Sequence, residues 1–443
     1  MLASSVALLS ACALQASQAT YLATIYSEAR NYWTKLGAAT VLDTQLELDP
    51  MLVIKYQSGT PTPADAPADG GGSTDQPATP AAPPSAAPAV AAPADAPAAT
   101  VVFDLGGAYY PRLLVDVTTG LVYVLNQLTI AGAFRPSPLW TLFLTEDISY
   151  GTTDLRTVTT APGGVVQPIP FVATLKYIYE KTAAGFEIRP SARVSLVTTL
   201  AYTIQGGADA VSRVSLPLQN GPSATFAASV TATREDTFTT VGTASFSTFD
   251  PGTKVWVATL LEAWDRALGP QTRLRLGAGM GASGNPGVTY GNPVAEAGLM
   301  FGIGRPASPS RNELVGLGAP RYWPTLPLGS LMIGGGARLG PFVDQVTGYA
   351  YERFDAFAAL GWAPHPLWRF SADVSGGTSL TGVQRGQVNG AGDAVASWEA
   401  ARGFLLSAGV RLYWTQSGPD FPQPTYTQWT AFIGLAYMQR GRL

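Results

Sequence analysis

Residues that usually carry chemistry are scarce in this chain. It has one histidine, His365, and one cysteine, Cys12. Hydrolytic and acyl-transfer sites generally set a histidine beside a serine or cysteine nucleophile. His365 lies inside Pro364-His365-Pro366, and a matching turn elsewhere has Ser137 in its place, so it reads as a turn residue. One cysteine excludes an intramolecular disulfide and a thiolate metal cluster. A zinc ion would then depend mainly on carboxylates, an atypical ligand set. Gly279-Met280-Gly281-Ala282-Ser283-Gly284 satisfies G-x-G-x-x-G, but a dinucleotide site needs that motif between a strand and a helix. Here it ends a run in which Leu274, Leu276, Ala278, Met280 and Ala282 share one face. Asp and Glu total 30, yet no spacing singles out a catalytic pair. The residues therefore predict neither an enzyme nor a cofactor.

What remains is charge on alternate residues. Glu47, Asp49, Lys55, Asp104, Arg112, Arg273, Arg275, Arg338, Arg353, Asp355, Arg369, Asp373 and Arg411 all fall on the polar side of segments whose other side is apolar. Period 2 means strand. Lining a pore, such side chains would set which ions and small solutes pass. Paired across an interior, they would brace a narrow or plugged barrel. Both readings stand at this point. Gly334, Gly336 and Gly340 on the same side leave room for an open interior.

The elements that hold these residues repeat. Pro136-Ser137-Pro138-Leu139-Trp140 matches Pro364-His365-Pro366-Leu367-Trp368 at an offset of 228. The same offset relates Gly106-Gly107 to Gly334-Gly335, Val115-Asp116 to Val343-Asp344, Thr119-Gly120 to Thr347-Gly348 and Tyr123 to Tyr351. That spacing is too long for a solenoid. It marks one hairpin unit built twice, with proline fixing a short turn and aromatic residues at its mouth. Alternation and turn chemistry predict strands at 20–30, 42–56, 101–115, 121–134, 140–150, 172–188, 193–205, 225–233, 237–247, 254–264, 272–282, 294–304, 331–343, 349–362, 368–378, 394–400, 405–414 and 428–438, the first of them weakly. The count is 16 to 18, with eighteen preferred because an even number returns both termini to the periplasm. The Pro-x-Pro turns then face the periplasm.

Composition agrees. Charged residues are 13%, about half the usual share of roughly 25%, aromatic residues are 10%, and glycine numbers 48. No apolar run reaches the roughly 18 residues of a membrane helix. Net charge is −3 with no basic block, which argues against nucleic acid as a partner. Residues 1–19 form an apolar, uncharged export segment. It admits three readings: cleavage near Ala19, lipidation at Cys12 within Leu9-Ser10-Ala11-Cys12, or no cleavage. Residues 20–58 hold the first strands and 101–443 the rest. Between them, 59–100 has no aromatic residue, Lys or Arg and is expected to be a disordered Ala/Pro-rich linker or loop.

Alternating strands, aromatic pairs beside short turns, and a last strand Gln428-Trp429-Thr430-Ala431-Phe432-Ile433-Gly434-Leu435-Ala436-Tyr437-Met438-Gln439 make the chain resemble a bacterial outer-membrane β-barrel of porin-like type. The resemblance covers 20–58 and 101–443. It implies an all-β, transmembrane, antiparallel up-and-down barrel in the outer membrane of a Gram-negative bacterium. It also implies lipid around the barrel and assembly machinery that reads the last strand, where Gly434 and Tyr437 echo the signal. The expected function is a channel or passive solute pore. The alternatives are a structural or surface-interaction barrel with an occluded lumen and partner-binding loops at 151–170 and 206–222, or a soluble secreted β-protein. Val410→Arg is expected to be costly and Arg411→Val mild.

Overall fold

The structure, a computed structural model, describes residues 18–36, 38–58, 102–154, 174–303 and 330–442, apart from 251, 286, 345–346, 383, 402 and 419–424. Residues 1–17 of the export segment with Cys12, the 59–100 linker and most of 151–170 lie outside the described residues, while Gln18 and Ala19 belong to the first strand. Nineteen strands follow in chain order: β1 (Gln18–Leu36), β2 (Ala39–Ser58), β3 (Val102–Tyr109), β4 (Arg112–Asp116), β5 (Val122–Ser137), β6 (Trp140–Asp154), β7 (Thr174–Ser191), β8 (Val194–Gly207), β9 (Gln219–Thr231), β10 (Asp236–Phe249), β11 (Thr253–Gly269), β12 (Thr272–Asn285), β13 (Val288–Ile303), β14 (Leu331–Val343), β15 (Ala350–His365), β16 (Trp368–Ser379), β17 (Val388–Ala401), β18 (Phe404–Gln416) and β19 (Tyr426–Arg442). Among the described residues one short helix, α1 (Ala210–Ser215), sits between β8 and β9.

Each strand pairs antiparallel with its neighbours, and β1 pairs with both β2 and β19, from Thr20↔Arg442 to Leu36↔Tyr426. The sheet therefore closes. β3 and β4 both pair with β2 on one side and β5 on the other, so they share a single stave and the barrel has eighteen. The expected continuous strand 101–115 is interrupted at Tyr110-Pro111, where proline has no N–H to give the ladder. Register survives the break: Leu52 faces Tyr109 and Leu48 faces Leu113.

Other expected bounds change too: β13 begins at Val288 rather than 294, and β17 at Val388 rather than 394. β1 runs to Leu36 rather than residue 30. β9 begins at Gln219 rather than 225, so 206–222 is only partly a loop. Gly221 and Pro222 looked like turn residues and lie within the ladder instead, opposite Thr203 and Tyr202.

The start of β1 and the end of β19 lie at one end, as an even stave count requires. Connections there are two residues long at 138–139, 192–193, 270–271, 366–367 and 402–403. Each of these five hairpins carries a one-residue bulge on its incoming strand. The repeated turns match in the position of their side-chain acceptor. Leu139 N–H donates to Ser137 Oγ at 3.3 Å, and Leu367 N–H donates to His365 Nδ1 at 3.3 Å. At the opposite end, Gly120 N–H closes on the Asp116 carbonyl and Gly348 N–H on that of Asp344, both at 2.8 Å. These two glycines hold φ of +72° and +69°, a region a side chain would resist.

The outer face is apolar and exposed: Leu142, Leu144, Leu200, Phe226, Met280, Val410 and Ile433 are examples. At the terminal end aromatic rings contact one another across staves, as in Trp140–Phe186, Trp368–Trp398 and Phe404–Tyr437. Toward the other end the outer face carries Trp33, Tyr150, Tyr202 and Trp429. Ten residues separate Trp140 from Tyr150 on β6. That is roughly 33 Å of strand and about 25 Å of height at the usual tilt, the height of the apolar band of a membrane barrel.

Candidate functional site

The side chains opposite that apolar face point into the barrel, and all thirteen charged residues named above are among them. Most are tied to a neighbour. A belt of ion pairs crosses the junction of first and last strands. Asp393 on β17 accepts from Arg411 Nε at 2.8 Å, and Arg411 Nη1 reaches Glu28 on β1 at 3.0 Å. Glu28 also accepts from Tyr26 and Arg30, and Arg30 pairs with Glu47 on β2. Glu47 accepts from Arg112 Nε on β4 at 2.6 Å, with Asp49 4.0 Å from the same nitrogen. On β19, the Phe432 ring lies 4.0 Å from the Arg411 guanidinium carbon. Glu28, Arg30 and Glu47 are fully buried, a position charged groups hold only when paired.

Elsewhere the pairs are local. Arg275 bridges Asp265 and Glu296, each at 2.6 Å, joining β11, β12 and β13. Arg353 pairs with Asp355 at 2.7 Å and donates to Asn389. Arg369 meets Glu399 at 3.1 Å, and Asp104 meets Arg135 at 2.8 Å. Asp373 lies directly across from Asp393 in register. Lys55, Arg273 and Arg338 have no ion pair among the described residues. Arg338 faces Glu296 on one side and Asp355 on the other, but those carboxylates are held by Arg275 and Arg353.

Sequence reasoning named both members of Glu47–Arg112 and Arg353–Asp355 and missed the partners in the other pairs. Glu28 and Arg30 share one face of β1, but Ser27, Ala29 and Asn31 on the other face are not apolar enough to give contrast. Asp393 sits one residue before the expected strand start at 394. Two carboxylates were missed on the outer face. Glu146 accepts from Thr182 at 2.5 Å, and Glu262 accepts from Thr240 at 2.7 Å, each from the residue directly opposite in register. His365 is occupied as the turn acceptor described above.

The family model for the EpsX exopolysaccharide export family matches residues 140–443, β6 to β19. The chain belongs to that family. The EpsX match starts at Trp140, the residue that closes the first Pro-x-Pro turn. No curated protein matches the chain. Among solved structures, it is similar to OpdQ of Pseudomonas aeruginosa, with 10% identity and a TM-score of 0.46 over 96% of this chain and 100% of the other. It is also similar to OccAB4 of Acinetobacter baumannii, with 10% identity and a TM-score of 0.46 over 97% and 99%. For OpdL of P. aeruginosa the values are 12% and 0.42 over 96% and 99%. These likenesses are distant. A closed barrel with an apolar band and two aromatic rims, as in this EpsX-family chain, belongs in the outer membrane of a Gram-negative bacterium.

Proposed function

We propose that this protein is an outer-membrane channel for exopolysaccharide export. The observation that carries the reading is a closed eighteen-stave barrel with a polar inner wall, in a chain of a family described by that export. Barrels of 16 to 18 strands have room for an aqueous channel. Small solutes would cross the same lumen, lipid would surround the barrel, and the assembly machinery would read β19. The test is unitary conductance of the purified protein in a planar lipid bilayer. Stable steps are expected. A protein that inserts and stays silent would contradict the channel and favour the second reading, a barrel occluded inside that acts through its loops. The burial of Glu28, Arg30 and Glu47 is what supports that second reading.

A further inference from the structure

Three neighbouring staves carry no charge on their inner face. The odd-numbered residues of β8, β9 and β10 point inward, and from Ser195 to Phe249 none is Asp, Glu, Lys or Arg. Hydroxyls stand there in register. Thr199 faces Thr225, Thr225 faces Thr243, and Thr243 shares a hydrogen bond of 2.6 Å with Thr259 on β11. Two tiers nearer the termini, past an apolar tier of Val197, Ala227 and Val241, Ser195 faces Ser229, which bonds Thr239 at 3.1 Å. Three tiers away in the other direction, Gln205 donates to Gln219 at 2.6 Å, and Gln219 donates to Ser247 at 2.8 Å. A hydroxyl has one donor and two acceptor positions, so these bonds leave capacity free. Thr225 is exposed. With eighteen staves, β9 lies opposite β18, where Arg411 is already taken up by Glu28 and Asp393.

We infer that the inner face of β8–β10 is a track for an uncharged polysaccharide, whose sugar hydroxyls exchange hydrogen bonds with three tiers of Ser, Thr and Gln. This rests on the export-channel reading. Sugar hydroxyls donate and accept as Ser and Thr do, so a chain moving along this wall meets chemically equivalent partners at each polar tier. Passage requires several weak sites rather than one tight one. A polyanion finds no cation on these staves.

The test adds uncharged α-1,6-glucan oligomers, or oligogalacturonate of equal length, to the conducting protein in a planar bilayer and records interruptions of the unitary current. The glucan is expected to interrupt the current. Thr199→Val, Thr225→Val and Thr243→Val combined should shorten the mean interruption at least three-fold while leaving the open conductance intact. Thr225→Val alone serves if the triple variant does not fold. Thr198→Val, on the lipid-facing side of β8, should change nothing. Interruptions unaltered by the hydroxyl variants, or longer with oligogalacturonate, would overturn the track. An open pore that glucan never interrupts would overturn it and leave the channel standing. A silent barrel would overturn both.

Discussion

Val410 and Arg411 are neighbours in the chain and face different solvents. Val410 is 49% exposed on the lipid side. Val410→Arg is expected to cost roughly 2–4 kcal/mol near the bilayer midplane, measured by denaturant unfolding from lipid vesicles. The alternation that places these two residues was legible in the sequence. The partners of Arg411 were not, because Glu28 lies 383 positions away. The expectation that Arg411→Val would be mild therefore falls. Removing Arg411 leaves Glu28 and Asp393 each short of a cation. With 23% of its side chain in contact with water, the cost should be about 2 kcal/mol, below that of breaking a dry pair. An unfolding midpoint equal to wild type would contradict this. Arg273 and Arg338, which like Lys55 have no ion pair among the described residues, are among the cations left to act on passing ions. Arg338→Gln should keep the fold and move the reversal potential in a salt gradient toward cation selectivity.

The hairpin used twice shows how much of an element a short phrase can specify. The 228-residue offset was visible, and both copies carry the same bulge and the same turn acceptor. His365→Ser, which copies Ser137, should therefore alter stability by no more than about 0.5 kcal/mol. A third use was harder to see. Arg189-Pro190-Ser191 repeats Arg135-Pro136-Ser137, and Arg193 N–H donates to Ser191 Oγ at 3.2 Å, but aromatic rings do not flank it in sequence. β1 was weakly legible because its outer face mixes Ser27, Ala29 and Asn31 with apolar residues. The start of β9 was hidden because Gly and Pro signal turns locally, whereas here the ladder to β8 runs through them. On the outer face, Thr182→Val should destabilise β6–β7 by about 1 kcal/mol, since Glu146 then meets lipid without a hydrogen bond. Beyond the membrane, Asp209 caps α1 by accepting from Ser212 N–H at 2.8 Å, and that bond holds its carboxyl below the usual range. The cap is thus present above the ordinary carboxylate pKa and is lost as pH falls through the lowered value. Hydrogen-exchange protection in 208–218, taken relative to the intrinsic rate at each pH, should fall in acid, and Asp209→Ala should reproduce the loss at neutral pH.

The whole barrel was predictable in class and stave number, because an even count and a two-residue period are properties of the sequence. Its inner economy was not. Which charges neutralise one another depends on closure, and closure joins β1 to β19 across the full length of the chain. The result is a lumen with two characters: an ion-paired wall running from β17 through the seam to β4, and a neutral hydroxyl wall on β8–β10. The central claim is that water fills the space between them. The most direct measurement is labelling by a membrane-impermeant maleimide along β9, in the full chain with Cys12→Ala as background. Ser223→Cys, Thr225→Cys and Ala227→Cys should label in intact proteoliposomes, while Ala224→Cys, Phe226→Cys and Ala228→Cys should not. Labelling without alternation would contradict the barrel assignment of this strand. Alternation seen only in lipid protection, with the odd positions also silent, would mean a closed interior and contradict the channel.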